Sequence, residues 1–153
     1  MIERTLSILK PDAVKQGVVG QCLAMLEETG KLKIIAMQMT RFTEDQAAAF
    51  YIQHNARPFY DDLVTFMASG PVVVAVLEGE NAVAMNRVVM GATEPSQRAA
   101  GTIRKRFSCH VMHNVVHGSD SVDAAEREIA FCIRECLVRL PETAHLQRFG
   151  GAV

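Results

Sequence analysis

The sequence has almost no net charge and no long apolar run, and each scarcity excludes a class of protein. Its 153 residues carry a net charge of −1 at pH 7, which argues against bulk nucleic-acid or membrane-surface binding as the main role. No apolar run approaches the length of a membrane span. The charged pair Glu3-Arg4 follows closely on Met1, and no apolar signal segment is visible after it. We therefore expect a cytoplasmic protein without a membrane partner.

Cysteine is also scarce, and its four residues form no CxxC pair: Cys22, Cys109, Cys132 and Cys136. A disulfide-stapled fold has more cysteines in a shorter chain. Cys132 and Cys136 lie one helical turn apart, but two thiols are too few for a zinc site. We expect reduced thiols with no structural bond.

The motifs of the commonest kinases are missing. The sequence contains no GxxxxGK[ST] phosphate-binding loop, and it contains neither the HRD nor the DFG motif of protein kinases. A kinase with this sequence would therefore have to bind its nucleotide in another way.

Apolar residues make up 49% of the chain, which is enough for one domain with a buried core. The continuous apolar run at 72–77 is typical of a central strand that is buried on both faces. We predict an α+β fold of the split βαβ kind, with a four-stranded, mostly antiparallel sheet covered by helices. A single domain is expected over 1–140, followed by a tail at 141–153. The predicted strands are 5–9, 32–39, 72–77 and 111–116, and the predicted helices are 18–29, 44–53, 60–69, 81–90 and 121–137.

Three helix starts are predicted from capping residues. Thr43 and Gln46 have the spacing of a capping box. Asn81 is expected to cap the helix that follows the apolar strand, and either Ser119 or Asp120 is expected to cap the last helix.

The segment around His117 contains the strongest candidate for chemistry. Imidazole is uncharged and nucleophilic near neutral pH, and Gly118 is expected to leave one flank of the ring open. Ser119 supplies a hydroxyl two residues later. Glu128 lies in the next predicted helix, where its carboxylate can fix the proton on one ring nitrogen and leave the other free to attack. The alternative is a surface histidine in a helix-capping turn, which the HGSD motif alone would favour.

A basic cluster lies within twenty residues and is opposed only by Glu94; its members are Arg87, Arg98, Arg104, Lys105 and Arg106. Phosphoryl transfer depends mainly on positioning and on neutralising phosphate oxygens, which suits arginine and lysine. Thr93 and Asn114 add neutral donors nearby. The alternative is a solvated basic loop.

Two weaker features point the same way. Lys10 ends the first predicted strand before Pro11, where its ammonium can point at a phosphate. Aromatic residues are only 6% of the chain, yet Tyr51 and Phe59 fall close together. An exposed ring can stack on any base, although Phe59 equally fits an ordinary core position.

Together these features resemble the nucleoside diphosphate kinase family. The similarity extends from Glu3 to about Phe131, and its final string, His117 to Ser121, is close to a family signature. The other matching strings are residues 3–12, 57–59, 69–73, 77–83, 91–93 and 101–104. The resemblance implies a ferredoxin-like fold, which agrees with the predicted order of elements.

The resemblance also implies an activity and a set of site residues. The γ-phosphate of a nucleoside triphosphate, typically ATP, would pass to a nucleoside diphosphate by a ping-pong cycle through a phosphohistidine at His117, supported by Ser119 and Glu128. GDP, UDP, CDP and the deoxynucleotides would serve as substrates, because Phe59 and Val111 would enclose the base with little selectivity. The residues expected to hold the phosphates and the sugar are Lys10, Tyr51, Arg87, Thr93, Arg104 and Asn114.

The family also implies a metal and an assembly. Asp120 would help to place Mg²⁺, which would be bound mainly by the nucleotide phosphates. Members form homotetramers or homohexamers built from dimers, and the tail at 141–153 would pack at a subunit contact or on the surface. Nucleic acid would be at most a secondary partner.

The sequence departs from the family pattern beside the expected nucleotide loop. Glu94 replaces a usual asparagine, Lys105 and Arg106 replace a small and an acidic residue, and Ala99-Ala100 replaces a commoner Lys-Pro pair. If these changes have an effect, we expect it on nucleotide affinity and loop stability rather than on the reaction.

Two other functions fit part of the sequence. A non-catalytic binding module on the same fold would use the basic loop at 98–106, and its binding would weaken with salt. A metal site would use Cys109, His110, His113 and His117, but the β-branched residues before His117 favour a strand, which would point His110 and His113 to opposite faces.

Overall fold

The computed structural model describes residues 1–142, which form one sheet with helices on both faces. The strands are β1 (Ile2–Leu9), β2 (Lys33–Thr40), β3 (Val72–Glu80) and β4 (Val116–Gly118). The helices are α1 (Pro11–Gln16), α2 (Val19–Glu27), α3 (Glu44–Phe50), α4 (Tyr60–Met67), α5 (Ala82–Met90), α6 (Ile103–Phe107) and α7 (Val122–Arg134). Short 3₁₀ helices cover Ile52–His54 and Pro95–Gln97.

The sheet has the strand order β2-β3-β1-β4, and each described pair of neighbours is antiparallel. This arrangement confirms the predicted α+β fold. Ile8 of the central strand β1 pairs with His117 of β4, so the candidate nucleophile lies in the sheet itself. No helix among the described residues is long and apolar enough to cross a membrane.

The apolar run of β3 is explained by two cores, one on each face of the sheet. Val72, Val74 and Val76 pack with residues of α3, α4 and α7. Val73 and Leu77 pack on the other face with residues of α1, α2, α5 and α6. Because neither face of β3 is left to solvent, the alternation expected of a one-sided strand is absent.

The capping box at the start of α3 is confirmed. The Thr43 hydroxyl accepts a hydrogen bond from the Gln46 backbone N–H, and the Gln46 side chain accepts one from the Thr43 N–H. The helix ends at Phe50, three residues before the predicted end.

The predicted caps of the last two long helices are wrong. Asn81 has a left-handed backbone and makes no side-chain cap to α5; instead, the Glu3 carboxylate accepts a hydrogen bond from the backbone N–H of Val83. Helix α7 begins after Ser121, whose hydroxyl accepts from the Ala124 N–H at 3.0 Å. Ser119 and Asp120 precede this cap.

The predicted final strand is also wrong over most of its length. Residues 111–115 are irregular, and β4 covers only Val116–Gly118. Helices α1 and α6 were not predicted; α6 begins after Thr102, whose hydroxyl accepts from the Lys105 N–H. The predicted tail lies outside the described residues, except for 141–142.

Candidate active site

His117 lies in β4 within a wall of aromatic rings. Its side chain is 17% exposed, which leaves it reachable but largely enclosed. The rings of Phe50 and Tyr51 stand edge-on to the imidazole, with centroids 5.2 Å and 5.6 Å away. The strand pairing and these rings together restrict the orientation of the imidazole.

The predicted contact between His117 and Glu128 is present. Nε2 of His117 lies 2.7 Å from Oε1 of Glu128, which α7 carries over the sheet. The Ser119 hydroxyl donates a 2.5 Å hydrogen bond to the other oxygen of the same carboxylate. Since the carboxylate accepts from Nε2–H, the tautomer with an unprotonated Nδ1 is favoured.

Gly118 has a different role from the one expected. It is buried, and a side chain at this position would overlap Met90 and Asn86 of α5. Glycine is therefore needed here because the helix packs directly on the strand backbone, rather than because the flank of His117 is open to solvent.

Lys10 is buried beside the nucleophile strand. Its ammonium donates a 2.8 Å hydrogen bond to Oδ1 of Asn114. Burial, together with the nearby Arg104 guanidinium, lowers the pKa of Lys10 to about 7, against the partial opposition of Asp12. A phosphate at this position would supply the negative charge that the buried ammonium needs.

Arg104 is also buried, and its described hydrogen bonds run to uncharged oxygens. It donates to the carbonyls of Gly91, Asn114 and Val116 and to the Thr93 hydroxyl. Burial, together with the neighbouring Arg87 and Arg98, lowers the pKa of Arg104 to about 10. This clustering of cations favours binding of a polyanion.

The backbone before His117 is strained. Val115 has a φ of 76°, a left-handed conformation that costs a β-branched residue about 1–3 kcal/mol. Two hydrogen bonds hold it there: its N–H donates to the Asp12 carboxylate at 3.0 Å, and its carbonyl accepts from the Lys10 N–H at 2.8 Å. Asp12 thus helps to set the path of the chain into β4.

The other predicted site residues are partly exposed. Phe59 and Val111 are 43% and 49% exposed, so the alternative of a core position for Phe59 is wrong. Thr93, Arg87 and Asp120 are exposed, and Arg87 donates to the Gly118 carbonyl at 3.4 Å.

Tyr51 is buried, and its hydroxyl has no hydrogen-bond partner among residues 1–142. Burial and the nearby Glu128 carboxylate raise the pKa of Tyr51, so the phenol keeps its proton and can donate it to a ligand oxygen.

Sequence reasoning assigned no individual role to three residues that shape this region. Phe50 encloses His117, Asp12 holds Val115, and Arg98 joins Thr93 to His110. The only available signals were the aromatic neighbour of Tyr51, the acidic residue after Lys10-Pro11 and the position of Arg98 in the basic cluster.

The structure gives no support to the histidine metal site. No group of three or more His, Cys, Asp or Glu in the described part of the chain is arranged to hold a metal ion. His110 Nδ1 instead accepts hydrogen bonds from the backbone N–H groups of Met112 and His113, and His117 is bonded to Glu128.

Lys10→Met should change how stability depends on pH. The Lys10 pKa falls from 10.5 to about 7 on folding, so between these values the unfolded chain binds a proton that the folded chain does not. Wild-type stability should therefore gain a contribution as pH rises through this window, and the variant should lack it. Urea unfolding at several pH values from 6 to about 10 measures the difference. Removal of the exposed Lys15 in Lys15→Met should leave the wild-type profile, and parallel profiles for wild type and Lys10→Met would refute the assignment.

Asp12→Ala should destabilise the fold by about 1–3 kcal/mol, because it leaves the Val115 N–H without its acceptor and releases the strained residue. Transfer activity should fall with it, since Val115 leads into His117. Val115→Gly provides the test of strain, because glycine adopts a left-handed φ freely. In a double-mutant cycle by urea unfolding, Asp12→Ala should cost less in the Val115→Gly background. Additive effects would show that Asp12 does not restrain Val115.

Comparisons with known proteins identify the family of the chain. A family model described as nucleoside diphosphate kinase matches residues 3–138. A nucleoside diphosphate kinase from Anaeromyxobacter sp. (strain Fw109-5) is 54% identical over 140 residues, which cover 92% of this chain and 95% of the relative. The crystal structure of the Aquifex aeolicus nucleoside diphosphate kinase has a TM-score of 0.82 and 43% identity, and covers 86% of this chain and 94% of that one. A halophilic nucleoside diphosphate kinase from Halobacterium salinarum in complex with CDP has a TM-score of 0.81 and 42% identity, with 86% and 87% covered.

Proposed function

The chain belongs to the nucleoside diphosphate kinase family, and on that premise we propose that His117 carries the phosphoryl group between the two nucleotides. One observation supports this role above the others. The Glu128 carboxylate engages Nε2 of His117 at 2.7 Å and is itself fixed by Ser119, which makes Nδ1 the nitrogen that is free to attack.

The proposed cycle has two in-line transfers. In the first, the Nδ1 lone pair attacks the γ-phosphorus of a nucleoside triphosphate, an N–P bond forms, and the bond from phosphorus to the β-phosphate oxygen breaks. The nucleoside diphosphate leaves, and Glu128 stabilises the positive charge on the substituted imidazole. In the second, a β-phosphate oxygen of another nucleoside diphosphate attacks the same phosphorus and Nδ1 leaves with its electron pair. One site therefore serves donor and acceptor in turn.

The phosphates would lie among the cations and donors that surround His117. Six residues would form this cradle: Lys10, Tyr51, Arg87, Thr93, Arg104 and Asn114. The buried Lys10 and Arg104 have no carboxylate bonded to them among the described hydrogen bonds, and the Tyr51 hydroxyl has an unused proton. Fixed charges and donors of this kind stabilise the phosphoryl oxygens as charge redistributes in the transition state.

The base would stack between Phe59 and Val111, both of which are half-exposed. Stacking and apolar contact do not discriminate among bases. We therefore propose broad base tolerance, with GDP, UDP, CDP and the deoxynucleotides as acceptors. ATP is proposed as the usual donor.

We propose that Mg²⁺ enters with the nucleotide. The chemistry of the site fits this role, since Mg²⁺ is commonly bound by one or two carboxylates together with substrate phosphates, and Asp120 offers one exposed carboxylate three residues after His117. When bound, the ion would withdraw charge from the phosphate oxygens.

We also propose a homo-oligomer, a tetramer or hexamer built from dimers. Strand β2 is an edge of the sheet, and Met37 and Met39 on it are exposed. An exposed edge with apolar side chains favours pairing with another chain. Light scattering on the purified protein would count the subunits, and a monomer would refute the proposal.

Residues 1–140 are proposed to act as a single domain, because both helical layers pack on the one sheet. The proposed location is the cytoplasm, where nucleoside phosphates are abundant, and cell fractionation with an antibody would test it.

The reaction is tested by mixing the protein with Mg²⁺ and γ-labelled ATP in the absence of acceptor. Label should appear on the protein in a linkage that is labile in acid and stable in base, as expected of phosphohistidine. Addition of GDP or UDP should move the label into the corresponding triphosphate. Absence of protein label in a folded sample that binds ATP would instead favour the non-catalytic binding module.

A further inference from the structure

Arg98 is a buried arginine to which the proposed reaction gives no role. It follows the 3₁₀ helix Pro95–Gln97 in the loop between α5 and α6. Arg98 is only 6% exposed, which is unusual for a charged residue in a surface loop. Burial of this kind needs partners for the guanidinium.

The guanidinium of Arg98 is bonded to four backbone carbonyls on two separate segments. Nε donates to Ala92 at 3.1 Å, and Nη2 donates to Thr93 at 3.0 Å. Nη1 donates to Ser108 at 2.9 Å, and Nη2 also donates to His110 at 2.7 Å. Arg98 therefore joins residues 92–93 to residues 108–110.

Each joined segment leads to one end of the proposed nucleotide site. Thr93, whose carbonyl is held, has its hydroxyl 3.3 Å from Arg104 Nη1 at the phosphate end. His110, whose carbonyl is also held, directly precedes Val111 at the base end. The distance between the two ends therefore depends on the Arg98 side chain.

The second segment, residues 108–113, is held together by its own hydrogen bonds, so it should keep its shape when Arg98 positions it. The Ser108 hydroxyl oxygen lies 2.7 Å from the His113 carbonyl oxygen and 3.1 Å from the His110 carbonyl oxygen, and either can accept its proton. His110 Nδ1 accepts from the backbone N–H groups of Met112 and His113. Residues 108–113 thus form a compact turn.

We propose that Arg98 is a positioning residue that sets the spacing between the phosphate end and the base end of the nucleotide site. The proposal rests on the proposed function, because it assumes that the nucleotide spans Thr93 and Val111. A planar guanidinium can donate to four carbonyls in fixed directions, whereas a lysine ammonium has at most three donors around one point. We call the planar set of guanidinium N–H donors the fork. The loop requires the geometry of this fork, and not its charge alone.

The test compares three variants of the intact protein. Arg98→Met removes the fork and the charge, and Arg98→Lys removes the fork but keeps the charge. Arg41→Met is the matched control, because Arg41 is an exposed arginine outside this loop that also donates to a backbone carbonyl, that of Ala68. For each variant we would measure kcat and KM with ATP and GDP. We would also measure the rate at which phosphoramidate, which has no base or sugar, phosphorylates His117 with release of ammonia.

Arg98→Met and Arg98→Lys should both raise the nucleotide KM by about 10-fold or more, because the two ends of the site lose their alignment. Phosphorylation by phosphoramidate should stay within about 2-fold of wild type, since His117 and Glu128 are not attached to this loop. Arg41→Met should resemble wild type in both assays. A loss that affected both phosphoryl donors equally would indicate a general structural role and would overturn the proposal.

Arg98→Lys keeps the test decisive if Arg98→Met does not fold. A wild-type KM for Arg98→Lys would show that charge alone suffices, and the positioning role would be wrong. Failure of the proposed function would look different, because wild-type protein would then take up no phosphate on His117 from either ATP or phosphoramidate.

Discussion

His117→Ala is expected to abolish phosphoryl transfer, with kcat falling by at least about 10⁴-fold, as is typical when a covalent nucleophile is removed. The reason is that each transfer passes through the same imidazole nitrogen, so no other group can carry the phosphate between nucleotides. Glu128 cannot substitute, since its carboxylate is already bonded to Ser119 at 2.5 Å. The measurement is the rate at which label moves from γ-labelled ATP to GDP.

The variant should still fold and bind nucleotide. His117 lies in the short edge strand β4, and the rings of Phe50 and Tyr51, which contact each other, can remain in place without it. Circular dichroism and ATP binding should therefore be close to wild type. His113→Ala, which removes an exposed histidine stacked on Phe66, provides the matched control and should retain most of the activity. Turnover of His117→Ala near the wild-type rate would refute the carrier role.

The sequence was most informative where local pattern and tertiary packing agree. The continuous apolar run at 72–77 predicted a strand buried on both faces, and β3 has a core on each side. The capping box at Thr43 and Gln46 predicted the start of α3. The pairing of His117 with Glu128 followed from a helix placed directly after a strand, which brings the carboxylate back to the strand.

The sequence was least informative where distant residues decide the local backbone. The valines at 115 and 116 favour a strand, but Asp12 holds Val115 at a positive φ across 103 positions of the chain. The start of α5 is satisfied by Glu3, which lies 80 positions earlier. Neither partner can be identified from the residues beside the element it controls.

The basic segment at 98–106 is a second place where the sequence alone does not reveal the structure. The basic residues at 98–106 are visible as a charge cluster, but the sequence does not distinguish those that turn inward from those that face solvent. Arg98 and Arg104 are buried on backbone carbonyls, while Lys105 and Arg106 are exposed. The difference arises from the path of the loop between Gly91 and Asn114, which is fixed by tertiary contacts.

Arg104 is the cation whose loss should most weaken binding of the phosphates. It is buried beside His117's strand, where it donates to the Val116 carbonyl at 2.7 Å, and burial, Arg87 and Arg98 lower its pKa to about 10. Burial and the two neighbouring cations thus disfavour the charged form of Arg104. Binding of a polyphosphate relieves this penalty, so Arg104 contributes more to the complex than to the free protein.

Arg104→Met should therefore lower kcat/KM by about 10²–10³-fold, the range typical of losing one fixed donor to a transition state. The loss should be similar with ATP and GTP as donors, because the contact is to phosphate and not to the base. Lys105→Met, which removes an adjacent exposed charge, should change kcat/KM by less than about 2-fold, since exposed charges are screened by solvent and salt. Steady-state kinetics with both donors makes the comparison. Equal effects of the two substitutions would mean that the loop acts through its overall charge, and that the buried guanidinium has no special place in the reaction.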